Sequence, residues 1–159
     1  LEVTSPRQSR AGITLIEMMV VVAIIAVIAG ISFPSVTAGL DTLRLSQTTD
    51  GIATFFNTAL TYAEKRQQVM EIVISPSEKK LSAHSADSTW TRSFALPPGI
   101  TVERVLPEAA ADSAGARSFF VYPGGTVPRM GIEVANARGS ARTVRVDPIS
   151  GVAQVERTK

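Results

Sequence analysis

The chain has 159 residues, enough for one modest domain and an extension but not for two full cores. Its 16 Lys and Arg against 14 Asp and Glu leave a formal net charge of +2, so any basic patch must come from local clustering. Cysteine is absent, which excludes a disulfide scaffold, a thiolate metal site and a cysteine nucleophile.

Hydrophobic residues make up 45% of the chain, and much of that sits between Ile13 and Phe33, where Glu17 is the only charge. As a helix, about 20 such residues span the ~30 Å hydrocarbon core of a bilayer. Arg7 and Arg10 flank the run on its N-terminal side, and positive residues favour the cytoplasm. The predicted topology is N-terminus in and C-terminal domain out. A secretory signal peptide is the first alternative, but the run is long for an h-region and no small-x-small cleavage site follows before Pro34. A plain signal anchor is the stronger alternative, and hydropathy alone does not separate it from other spans. Glu17 does. A lone carboxylate costs roughly 2.5–3.5 kcal/mol at the centre of a membrane helix, and less near an end. No basic residue lies nearby on the same helical face, so its expected partner is intermolecular.

The run Ala11-Gly12-Ile13-Thr14-Leu15-Ile16-Glu17-Met18 resembles the cleavage motif of type IV prepilins. In that family a membrane aspartyl peptidase cuts after the glycine, on the cytoplasmic side, and methylates the new amine. The resemblance implies a leader over residues 1–12, a cut between Gly12 and Ile13, and an N-methylated Ile13 as first mature residue. Most members have Phe or Met after the glycine, where this chain has Ile. Glu17 takes the place of the family's glutamate, which pairs with the amine of a neighbouring subunit. Such pairing offsets the desolvation of both charges and sets the register of assembly. Pro34 falls where prolines recur in pilin stems. It removes a backbone donor and is expected to kink or loosen the helix, or else simply to mark the end of the span. Residues 13–34 therefore read as the transmembrane and assembly helix.

From residue 35 to 68 the chain reads as an amphipathic stem helix. Leu45, Ile52, Phe56, Ala59 and Ala63, with Phe55 and Leu60, recur at three- and four-residue spacing. Arg44, Gln47, Asp50, Asn57 and Glu64 occupy much of the remaining surface. After Arg66 the composition changes to short apolar runs between turn residues. Strands are predicted over Val69–Ile74, Lys80–Ala83, Trp90–Ala95, Ile100–Val105, Ser118–Tyr122, Gly131–Ala135, Thr143–Val146 and Val152–Glu156. Glu108–Arg117, rich in Ala with Ser and Gly, reads as a mobile loop, with a short helix as the alternative. The predicted fold class is α+β: a long N-terminal helix, membrane-spanning in its first half, packed on an antiparallel β-sheet domain over residues 69–159. This is the lollipop expected of pilins.

Three further segments narrow the resemblance. Leu96-Pro97-Pro98-Gly99-Ile100-Thr101-Val102, Phe119-Phe120-Val121-Tyr122-Pro123-Gly124-Gly125-Thr126 and Arg145-Val146-Asp147-Pro148-Ile149-Ser150-Gly151-Val152 resemble the C-terminal domain of the GspH/FimT family of minor pseudopilins and pilins. That resemblance implies a structural subunit of a type II secretion pseudopilus involved in protein export. The implied partners are the prepilin peptidase, other pilins or pseudopilins, and the inner membrane, with the C-terminal domain in the periplasm.

No catalytic constellation is visible, and no cofactor or metal site is expected. His84, the only histidine, lies in Ser82-Ala83-His84-Ser85-Ala86-Asp87-Ser88, which reads as a polar hairpin loop. Neighbouring Ser, His and Asp in a loop do not make a triad. Arg129, Arg138, Arg142, Arg145, Arg157 and Lys159 crowd the last third, diluted by Glu133, Asp147 and Glu156. The ordinary reading is a solvated mixed-charge surface. The functional alternative is a seat for DNA phosphates at Arg138, Arg142 and Arg145, because FimT-like minor pilins bind DNA through a Gly-Arg-x-Arg loop. Gly139-Ser140-Ala141-Arg142 matches that loop except at Ser140.

Overall fold

The computed structural model describes residues 13–108 and 115–157. The leader expected over residues 1–12, including Gly12, lies outside the described residues, as do the middle of the loop read over Glu108–Arg117 and Lys159. One long helix, α1, runs from Leu15 to Arg66. The chain divides into two compact units, Leu1–Ala38 and Gly39–Lys159.

In the first unit, helix α1 begins on a cap. The Thr14 hydroxyl accepts a hydrogen bond from the Glu17 amide at 3.3 Å, satisfying one of the donors that a helix start leaves open. The large apolar side chains from Ile13 to Phe33 are exposed all round the helix. Among the described residues this is the one stretch long and apolar enough to cross a membrane. Helical geometry continues through Pro34.

In the second unit the same helix is amphipathic. Leu45, Ile52, Phe55, Phe56, Ala59, Leu60 and Ala63 are all buried, as their spacing predicts. The hydroxyls of the buried Thr48 and Thr49 bond back to the carbonyls of Arg44 and Leu45, so they enter the interior with their polar atoms satisfied. The helix ends in a left-handed turn. Gln67 has φ 53°, and the Gln68 amide reaches back to the Ala63 carbonyl at 3.2 Å.

Among the described residues eight strands follow: β1 (Met70–Ser75), β2 (Lys80–Ser85), β3 (Thr91–Ala95), β4 (Ile100–Leu106), β5 (Arg117–Val121), β6 (Gly131–Asn136), β7 (Ala141–Val146) and β8 (Ala153–Arg157). They form two four-stranded sheets, β3-β2-β1-β5 and β4-β6-β7-β8, with antiparallel neighbours throughout. The sequence reading counted a single sheet. Strand β4 leaves the first sheet and pairs with β6, a long-range choice that no local pattern encodes.

Both sheets share one core with the helix. Phe56, Ile52 and Leu45 meet Ile72, Ile74 and Leu81 of the first sheet and Ile132, Val134 and Val144 of the second. Polar and aromatic contacts fix the helix to each sheet. Tyr62 stacks on Trp90 at 4.8 Å between ring centroids. Asn57 Oδ1 accepts from the Ala153 amide of β8 at 2.9 Å.

Gly131, which opens β6, shows how closely the strands approach. A Cβ there would stand 2.8 Å from the Val144 carbonyl oxygen, a backbone atom that cannot turn aside. Only glycine fits without shifting a strand.

Candidate functional site

Two regions carry the residues singled out from the sequence. At the N-terminus, Ile13 and Thr14 precede the first helical residue, Leu15, so the expected cut lies just outside helix α1. Ile13 is exposed, and the Glu17 carboxylate has no hydrogen-bond or ion-pair partner among the described residues. A carboxylate in the first helical turn also lies at the positive end of the helix dipole.

In the second unit the three arginines considered for DNA do not form one cluster. Arg138 follows β6 in the β6–β7 turn, and its Nε donates to Asp41 Oδ2 of helix α1 at 2.9 Å. Arg142, the second residue of β7, donates from a terminal nitrogen to Ser46 Oγ, also on α1, at 3.0 Å. Arg145 is exposed and has no partner among the described residues. Alternation explains the split. Positions 142 and 144 face the helix, whereas 143 and 145 face the opposite side of the sheet. Asp41 and Ser46 were not singled out from sequence, because they lie nearly 100 residues from their arginines and nothing local marks them.

The opposite face of the second sheet carries a second feature missing from the sequence reading. Glu133, at the centre of β6, is buried, and its carboxylate accepts from Arg104 Nε at 2.5 Å. Arg104 also donates to Glu108 Oε1 at 2.9 Å. Glu133, and then Glu108, hold the Arg104 guanidinium above its ordinary pKa. A glutamate alternating with Ile132 and Val134 was the available signal, but its partner depends on the pairing of β4 with β6.

His84 is corrected from loop to strand. It belongs to β2, where it pairs across the ladder with Glu71 of β1, and its Nε2 lies 3.0 Å from Glu71 Oε2. Ser85 Oγ donates to Asp87 Oδ1 at 2.6 Å while the His84 ring turns to Glu71, so the neighbouring Ser, His and Asp form no relay. The Ser85 hydroxyl, then the Thr89 hydroxyl and amide, push the Asp87 carboxyl well below the usual range. This is turn chemistry. Among the described residues no group of three His, Cys, Asp or Glu is placed to hold a metal ion.

Residues 7–33 match a family model described as the prokaryotic N-terminal methylation motif, a stretch that contains Gly12, Ile13 and Glu17. The solved structure of the minor pseudopilin EpsH from the type 2 secretion system of Vibrio cholerae is similar to this chain, with a TM-score of 0.56 at 12% identity. The likeness covers 72% of this chain and 97% of EpsH. The chain has a pseudopilin fold. At 12% identity the pseudopilin fold is kept by core pattern and topology, since few individual side chains are shared. No curated protein matches the sequence.

Proposed function

We propose that the chain is a minor pseudopilin, a structural subunit of a type II secretion pseudopilus that serves protein export. The observation that carries this reading is the pseudopilin fold following a prepilin-type methylation motif. A prepilin peptidase cuts between Gly12 and Ile13 and methylates the Ile13 amine. The apolar first half of α1 holds the subunit in the inner membrane, with the Gly39–Lys159 unit in the periplasm, until it enters the filament. There the unpartnered Glu17 carboxylate meets the methylated amine of a neighbouring subunit, and the pairing offsets the desolvation of both charges. Pro34 leaves the Gly30 carbonyl without its helical donor, so α1 yields more readily there as subunits pack.

DNA uptake by a FimT-like minor pilin receives less support. Arg138 and Arg142 are held by Asp41 and Ser46, leaving Arg145 as the one arginine of the three without a described partner. Deleting the gene in its own host separates the two readings. Export of secreted proteins is expected to fall and return on complementation, while DNA uptake stays unchanged. Loss of uptake with normal export would overturn the assignment.

A further inference from the structure

The second sheet carries a recess, unused by the proposed assembly, where the end of β4 meets the start of β6 and the end of β7. Its volume is about 390 Å³. Leu106 and Pro107, Met130 and Val146, and Pro148 give it apolar walls, and Met130 and Val146 are buried. Arg129 and Arg145 stand at its rim.

Three observations converge on this recess. Register places Leu106 opposite Gly131, and Gly131 opposite Arg145. The row thus reads aliphatic side chain, glycine, guanidinium. Gly131 lets the three strands close up, since a Cβ there would lie 3.5 Å from Leu106 Cδ1 and 3.3 Å from Arg145 Cα. Neither Arg129 nor Arg145 has a partner among the described residues. In contrast, Arg104 is paired with Glu133, Arg117 with the Val105 carbonyl, Arg138 with Asp41 and Arg142 with Ser46. Arg92 and Arg157 also lack partners among the described residues, but Arg129 and Arg145 stand together beside one apolar recess.

We propose that this recess binds an acidic segment of a partner protein, one that seats an aliphatic side chain against Leu106, Pro107 and Pro148 and presents carboxylates to Arg129 and Arg145. Guanidinium matches carboxylate geometry in a two-pronged way that a point charge does not. Nucleic acid fits less well. A phosphate backbone would meet the arginines but leave the apolar floor uncovered, and no aromatic side chain lines the recess to stack a base. The inference goes beyond the filament reading and does not depend on cleavage at Gly12.

The test uses the full chain in detergent micelles and a fluorescein-labelled peptide carrying Leu-Glu-Glu-Leu, followed by anisotropy at low salt. Saturable binding is expected, with affinity falling about tenfold or more in the double variant Arg129→Ala, Arg145→Ala. Arg129→Lys with Arg145→Lys is expected to fall between wild type and the alanine pair. Both arginines are exposed, so the variants are expected to keep the wild-type circular dichroism melt. The matched Leu-Gln-Gln-Leu peptide should not bind. The proposal is overturned by no saturable binding, by equal binding of the Gln peptide, or by equal binding to the alanine variant. It is also overturned if a single-stranded oligonucleotide binds more tightly than the acidic peptide and loses affinity in the same variant, which would make the rim a phosphate seat.

Discussion

The two ends of helix α1 obey different rules. Between Leu15 and Phe33 apolar side chains surround the helix and are exposed, whereas between Leu45 and Ala63 they occupy one face and are buried. A helix apolar all round needs a non-aqueous environment, while an amphipathic one needs a protein core. Continuous secondary structure thus joins two different physical commitments, and the pattern of apolar residues distinguishes them where helical geometry does not.

That contrast breaks most readily in the core. Phe56 is fully buried, and Phe56→Ala is expected to destabilise the Gly39–Lys159 unit by about 3–5 kcal/mol. The matched truncation Val22→Ala, in the exposed apolar half, should leave the same denaturation midpoint within about 0.5 kcal/mol. Denaturant titration of the full chain in micelles, followed by Trp90 fluorescence, measures both. Similar losses would mean that the two halves share one core.

Gly131→Ala should come next, at about 1–3 kcal/mol, because the added methyl meets the Val144 carbonyl across the ladder. Gly39→Ala gives the comparison. It lies in α1 with open space at its Cβ position, and is expected to stabilise the unit by up to about 1 kcal/mol. Thermal melts of the two variants should move in opposite directions.

The smallest expected effect is acid sensitivity at Asp87. Its pKa is lowered in the folded chain, so its contribution is fully present above the unfolded value near 4 and is lost as pH falls through the folded value. Asp87→Asn should therefore lower stability at pH 7 and flatten its loss below about pH 4, the variant and wild type converging in acid. Acid titration monitored by circular dichroism gives both slopes.

Much of this fold was legible because its signals are local. The spacing of Leu45, Ile52, Phe56, Ala59 and Ala63 named a buried helical face, and Pro97-Pro98-Gly99 separated β3 from β4. The predicted strand stopped at Ala83 because the polar run from His84 reads as a loop, although Leu81, Ala83 and Ser85 alternate as buried positions of β2. Pairing was not legible. The assignment of β4 to the second sheet depends on contacts across some 30 residues, as does the Arg104–Glu133 ion pair. The N-terminal motif needed only eight adjacent residues, whereas the Arg129 and Arg145 rim needed three strand ends brought together.

The central claim is that the apolar half of α1 begins at a processed prepilin terminus. Intact-mass and N-terminal peptide analysis should be made on the chain recovered from the inner membrane of cells containing a prepilin peptidase. The account predicts a mature chain beginning at N-methyl-Ile13, absent when the peptidase is removed. An intact Gly12–Ile13 bond in the presence of active peptidase would contradict it and leave a plain signal-anchored protein.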